Sequence, residues 1–277
     1  MANKVVILPV YKQIKEYINE VRKGEKEADI LWDEIMVSPY WDKLCEYAPM
    51  DLSMRKPEAI TDLSVLEEQY KRLCLLDIEK LTEKFNQVTK LLPNYDDDPI
   101  TVAIYPFSDS KKEVREKQNG VIGTSLFGNL YISVNPLDTE YEKWIPYVFA
   151  HEYHHTVWGN FWYCLHGKEL KGTFIDSLVI DGLADTFAMS LYPECKPLWI
   201  FSLEEDELLS LWYDTYRGLV NKQEVDYATY MFGSKEEHIP WCAGYAIGYA
   251  IVQHYLKQGK QYSNCELIET NPVKFLE

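Results

Sequence analysis

Apolar positions in the first third of the chain recur at helical spacing. The clearest run is Leu66, Tyr70, Leu73, Cys74, Ile78, Leu81, Phe85, Val88 and Leu92, stepping by three and four residues as one face of a helix must. Ser64 and Glu67 form a capping-box signature at its start and Pro93 marks its end, so the spacing predicts a single helix between them. Helical patterning reaches back to about residue 10. The acidic, turn-forming PNYDDDP at 93–99 then breaks the pattern. ITVAIY (100–105) has the composition of a strand, and NGVIGTSLFGNLYISVNP (119–136) predicts two strands folded over a Gly128–Asn129 turn. Helical spacing returns at about 144–160, 174–192, 203–220 and 240–258. Together these elements predict an α+β protein, with an N-terminal helical subdomain over 1–95 and a second domain over 96–277 in which a small sheet precedes several helices.

Composition narrows the partners. With 277 residues, 47% of them hydrophobic, the chain can bury a sizeable core. A net charge of −16 leaves no basic footprint for nucleic acid or for an anionic membrane surface, so neither is expected as a partner. The N-terminal apolar stretch is broken by Pro9 and Lys12, too early for the core of a secretory signal, and no run approaches the roughly 18–20 apolar residues that span a bilayer. No membrane insertion is expected, and the expected compartment is the cytoplasm. Cysteines at 45, 74, 164, 195, 242 and 265 are scattered with no C-x-x-C pair, which predicts reduced, buried thiols rather than a disulfide frame.

The candidate chemistry lies in FAHEYHHTVW, residues 149–158, which holds three of the six histidines. On a helix, His151 and His155 project from one face, one turn apart, and the pattern is H-E-x-x-H. Its mechanical meaning is two imidazoles on one Zn²⁺, with Glu152 rotated by about a third of a turn to act as general base toward the metal's water. His154 points elsewhere. Asp138 or Thr139 can cap this helix, with Pro146 in its first turn or kinking it. The flanks YVFA and TVW are strongly apolar, so the helix is expected to be buried, where unpaired imidazoles and a carboxylate are costly. That favours a metal over a structural histidine cluster. A zinc held by two imidazoles needs a third ligand and leaves a fourth position to water. TFIDSLVIDGLADTFAMS (173–190) is apolar except for three aspartates. Asp181 and Asp185 share a face, and Asp176 lies about 140° away around the helix. Asp181 is the expected third ligand and Asp185 the acceptor for the distal N–H of a zinc-bound imidazole. Asp185 or Asp176 serving as a cap or pairing with a surface lysine is the competing assignment.

HEYHH, DGLADTFA and WCAGYAIGYAIVQHYL, taken together, resemble the bacterial YjaZ-like family of predicted zinc-dependent proteases over roughly residues 95–260. Such proteins are similar to the gluzincins. The resemblance implies a zincin-like metalloprotease domain with one zinc per chain, ligands His151, His155 and Asp181, Glu152 as base, Asp185 behind the ligands, and a peptide or protein as substrate. It also implies that the strand before the histidine helix is a sheet edge that pairs with an extended peptide. GVIGTS (120–125) is the candidate, an ordinary hairpin strand with a bulge being the other assignment. The ligand position in that family's pattern is usually glutamate, and Asp181 is one methylene shorter. Either the aspartate helix comes closer, or zinc is held less tightly, or another residue is the ligand. Tyr245 and Tyr249, one turn apart, are candidate oxyanion donors, as is His238, while Gly244 and Gly248 indicate a tightly packed helix. The expected function is zinc-dependent hydrolysis of peptide bonds by a metal-activated water with Glu152 as general base. The alternative is a degenerate zincin whose zinc is structural and whose task is binding a partner protein.

Overall fold

The computed structural model describes residues 3–108, 116–137, 140–259 and 261–277. The chain forms two compact units, Met1–Thr156 and Val157–Glu277.

The first unit is built on a mixed four-stranded sheet of β1 (Val5–Leu8), β2 (Ile100–Pro106), β3 (Val121–Leu126) and β4 (Asn129–Val134), in the order β1-β2-β4-β3. β1 and β4 both run parallel to β2, and β3 runs antiparallel to β4. The two central strands, ITVAIYP and NLYISV, are buried along their whole lengths, as strands covered on both faces must be. β3 is an edge, half-buried from Ile122 to Ser125. β1 has no sequence signal, because four residues carry no readable period and VVIL becomes a strand only by pairing with β2 from Val5 opposite Ile100.

The expected hairpin forms, with its turn one residue earlier than the spacing predicts. Leu126 pairs with Asn129, and Phe127 and Gly128 turn the chain at φ of 61° and 138°. Asn129 is drawn into the strand by its fully buried side chain. Its Oδ1 accepts the Thr101 N–H at 2.8 Å and its Nδ2 donates to the Lys43 carbonyl at 2.9 Å.

Helices α1 (Ile14–Lys23), α2 (Ala28–Trp32), α3 (Ser38–Leu44), α4 (Leu63–Leu73) and α5 (Ile78–Leu91) precede β2. The single helix expected between Ser64 and Leu92 is therefore two. Asp62, rather than Ser64, caps α4 by accepting from the N–H groups of Ser64 and Val65 at 3.0 and 3.1 Å, and Asp77 caps α5 by accepting from Lys80 N–H at 2.9 Å. A spacing of three and four survives a short break, so periodicity alone does not show it. α6 (Tyr141–Gly159) carries the histidine motif. Pro146 lies inside it, and Asp138 and Thr139 lie outside the described residues. Phe149 of α6 stacks on Phe85 with centroids 3.9 Å apart, and the Tyr153 hydroxyl donates to the Leu92 carbonyl at 2.9 Å. The helix is buried on nearly every side, as its apolar flanks predict.

The second unit is helical. It contains α7 (Phe174–Leu191), α8 (Glu205–Asp214), α9 (Ala243–Leu256) and α10 (Asn264–Glu269). α7 and α9 pack backbone to backbone: a Cβ on Gly182 would stand 2.3 Å from the Gly248 carbonyl oxygen, and one on Gly248 would stand 2.1 Å from that of Leu178. Gly244 packs in the same way against Tyr230 and Met231 in the short helical segment Ala228–Phe232, so the tight packing expected of both α9 glycines is present. Leu178, Leu183, Ile247 and Val252 lie in the resulting core. All six cysteines are free thiols, as expected, but only Cys195 and Cys242 are buried, Cys74 and Cys164 being exposed and Cys45 and Cys265 half-buried. Among the described residues no helix is long and apolar enough to cross a membrane.

Candidate metal centre

The one-turn spacing in α6 turns the Nε2 atoms of His151 and His155 toward each other at 3.1 Å, with the two rings perpendicular. His151, Glu152 and His154 are buried and His155 is half-buried. Asp181 of α7 is buried, and the ligand atoms of His151, His155 and Asp181 all lie within 4.8 Å of one another. His154 is outside this group. The group suits a divalent metal on chemical grounds. Two imidazole nitrogens aimed at one another repel unless a proton or a cation lies between them, and their 3.1 Å separation is close to the roughly 3.3 Å that two such ligands keep on one tetrahedral zinc. Two nitrogens and a carboxylate oxygen are also a donor set that zinc accepts.

The other two aspartates of α7 have different surroundings. Asp185 is fully buried, and both its oxygens accept the Trp199 indole N–H, at 3.2 and 3.0 Å. Asp176 closes a capping box by accepting from the Thr173 N–H at 2.7 Å, and it pairs with Lys168 Nζ at 2.9 Å. The competing assignment, cap and lysine partner, thus holds for Asp176.

Glu152 lies against the edge strand. A Cβ on Gly123 of β3 would stand 2.2 Å from Glu152 Cγ and 2.6 Å from its Oε1, so only glycine leaves room for this carboxylate. Nearby, Tyr131 donates to the Arg55 carbonyl at 2.6 Å. Burial raises its hydroxyl pKa and the Glu152 charge adds to the rise, so this phenol stays neutral.

Tyr245 and Tyr249 sit one turn apart on α9, both half-buried. The Tyr245 ring packs on Phe232 at 5.8 Å, and Tyr249 packs edge-on to Phe201 at 5.8 Å. Burial raises the Tyr249 pKa, with the Asp185 charge adding to it, so its hydroxyl remains a proton donor at neutral pH. His238 lies in an exposed turn at φ 55°. Two further residues escaped the pattern: Trp199, and Tyr227, whose hydroxyl lies 3.5 Å from Asp181 Oδ2. Neither sits in a motif, and no spacing relates either of them to the aspartates they meet.

Two imidazoles, that of His151 buried and that of His155 half-buried, and the buried Asp181 carboxylate form a group that could hold a metal ion. Compared with known proteins, residues 78–277 match the family described as "Predicted Zn-dependent protease (DUF2268)", and the chain belongs to that family. "Uncharacterized protein YjfC" of Bacillus subtilis (strain 168) is 30% identical over 169 residues, which are 57% of this chain and 54% of that protein. The chain thus spans about half the length of this relative. No solved structure matches the chain. The family, and the His-His-Asp group, support a zinc cofactor, and the family suggests a metallopeptidase.

Proposed function

We propose that the chain is a zinc-dependent peptidase with a zincin-like catalytic domain. The observation that carries this is the convergence of His151, His155 and Asp181, with Glu152 in the same helix turn seated against a glycine of an edge strand. Bound zinc supplies Lewis-acid polarisation of a substrate carbonyl and acidifies water. His151 and His155 hold it through Nε2 and Asp181 through its carboxylate, whose shorter reach still brings it into the group. Glu152 takes the proton of the attacking water as the C–O bond forms and passes it to the leaving amine nitrogen as the C–N bond breaks. The remaining outer N–H and C=O groups of β3 pair with an extended peptide, the Val121 N–H already donating to the Gln118 carbonyl and the Ser125 carbonyl already accepting from Arg55, and Gly123 lets that peptide pass close to Glu152. Asp185, steadied by Trp199, accepts the distal N–H of a ligand imidazole. The hydroxyls of Tyr249 and Tyr245 are the candidate donors to the oxyanion.

Metal analysis and peptide hydrolysis test this together. Purified protein should hold about one zinc per chain. Glu152→Gln should keep that zinc and lose hydrolysis by at least roughly a hundredfold, whereas His155→Ala should lose the metal. Full zinc occupancy in His155→Ala would remove the ligand assignment. Zinc that is present but does not bind a hydroxamate inhibitor would mark a closed, structural site and favour a protein-binding role.

A further inference from the structure

A strip of five aromatic rings runs from Asp181 across the second unit. Tyr227, whose hydroxyl lies 3.5 Å from Asp181 Oδ2, packs edge-on to Phe232 at 5.7 Å, and Phe232 packs on Tyr245 at 5.8 Å. Tyr249 follows one turn along α9 and meets Phe201 at 5.8 Å. Phe201, Phe232 and Tyr227 are 51%, 47% and 44% exposed, so close to half of each faces water. Single exposed rings are ordinary, but two packed groups of rings, Tyr227–Phe232–Tyr245 and Tyr249–Phe201, on adjacent turns of α9 are not, because each ring keeps apolar surface in water that a fold could bury.

The row is also held firmly. Gly233 turns the chain at φ 99°, with the Pro240 carbonyl oxygen 2.4 Å from where its Cβ would be. Gly244 brings α9 within similar reach of the Tyr230 carbonyl, and that carbonyl accepts the Tyr216 hydroxyl. Met231 is fully buried while its neighbour Phe232 points outward. Rigid backbone packing therefore fixes Phe232 in an exposed position.

We propose that this strip receives a side chain of the peptide substrate next to the scissile bond and makes the enzyme selective for large apolar residues, aromatic ones above all. The proposal rests on the peptidase assignment of the same site. Its ligand class follows from continuity and chemistry. The strip starts at a hydroxyl 3.5 Å from a proposed metal ligand, so a side chain on its Tyr227–Phe232 end lies next to that ligand. Its lining is ring faces and edges, which match another ring in offset or edge-on packing. A carboxylate placed there would lose hydration with no compensation from the rings, and a lysine would gain only about twofold to fivefold (about 0.5–1 kcal/mol) from half-exposed ring faces, less than the roughly tenfold expected of an aromatic ring.

The test uses the full chain carrying Glu152→Gln, loaded with zinc, and alanine-rich peptides in which one phenylalanine is moved along the sequence. One position of the phenylalanine should tighten binding roughly tenfold or more over the all-alanine peptide, and lysine at that position should not. Adding Phe232→Ser or, separately, Phe201→Ala should reduce that gain to about twofold or threefold while zinc content and binding of the all-alanine peptide stay the same. In otherwise unaltered enzyme the same position should dominate kcat/KM. The strip is not a subsite if no position of the phenylalanine matters, or if the gain survives both substitutions. It is not one either if the chain is a dimer that Phe232→Ser dissociates, since a second copy would then cover it. Cleavage with no aromatic preference removes the strip and leaves the peptidase. Phe232-dependent binding by a chain that cleaves nothing does the reverse.

Discussion

Gly123 on β3 and the pair Gly182 and Gly248 on α7 and α9 leave out a Cβ for which there is no room, but what occupies the room differs. Between the helices it is main chain, with the carbonyl oxygens of Gly248 and Leu178 at 2.3 and 2.1 Å from the missing atoms. At Gly123 it is the side chain of Glu152, with Cγ at 2.2 Å. A helix carbonyl moves only if its helix moves, whereas a glutamate can rotate away. The first pair of glycines therefore serves stability, and Gly123 serves the position of one carboxylate.

The largest effect should come from Gly248→Ala. The added methyl must separate α7 from α9, at a cost of about 3 kcal/mol or more, the upper end of overpacking, and larger than the roughly 1 kcal/mol that alanine gains over glycine in a helix. Denaturant unfolding would measure it, and an unchanged midpoint would show that the helices do not meet there. Gly123→Ala should instead cost no more than about 1 kcal/mol in unfolding and leave the zinc content intact while lowering kcat/KM by about a hundredfold, because the proposed base is pushed off line. A fall in stability as large as that of Gly248→Ala would erase the distinction between the two sites. Combining Gly123→Ala with Glu152→Ala sharpens it further. With the glutamate gone the methyl has space, so whatever stability the single substitution loses should be recovered, with a coupling of about 1 kcal/mol in a double-mutant cycle. Smallest is Gly24→Ala. Gly24 sits at φ 69° with nothing within 4 Å of the added atom, so only backbone strain of about 1 kcal/mol is expected in the same unfolding assay.

Much of the site was legible because it is local. The pair His151 and His155 needs only the pitch of one helix, and the apolar letters around them announced its burial. Asp181 was legible as one of three aspartates in an apolar segment, although the three are chemically alike. Asp176 proved to be a cap with a lysine partner, which a nearby Thr173 and Lys168 allow but do not require. The break between α4 and α5 was hidden, because the apolar rhythm of Leu66, Leu73, Leu81 and Phe85 runs through it while the cap at Asp77 interrupts the backbone. The hairpin turn slipped by one residue for a similar reason. Asn129 looks like a turn residue, and the backbone groups it satisfies, at Thr101 and Lys43, are distant in sequence.

The amino-acid order alone determined the helix–sheet–helix succession, the one-turn spacing of His151 and His155 and the family, since each depends on residues within a turn or two or on short blocks of fixed letters. Only the tertiary structure decided that VVIL joins the sheet, that β3 is its edge, that Glu152 lies over Gly123, and that Trp199 and Tyr227 reach the aspartates of α7. Those contacts join residues at least 14 positions apart in sequence, and they are set by how whole elements pack, a quantity that no local period carries.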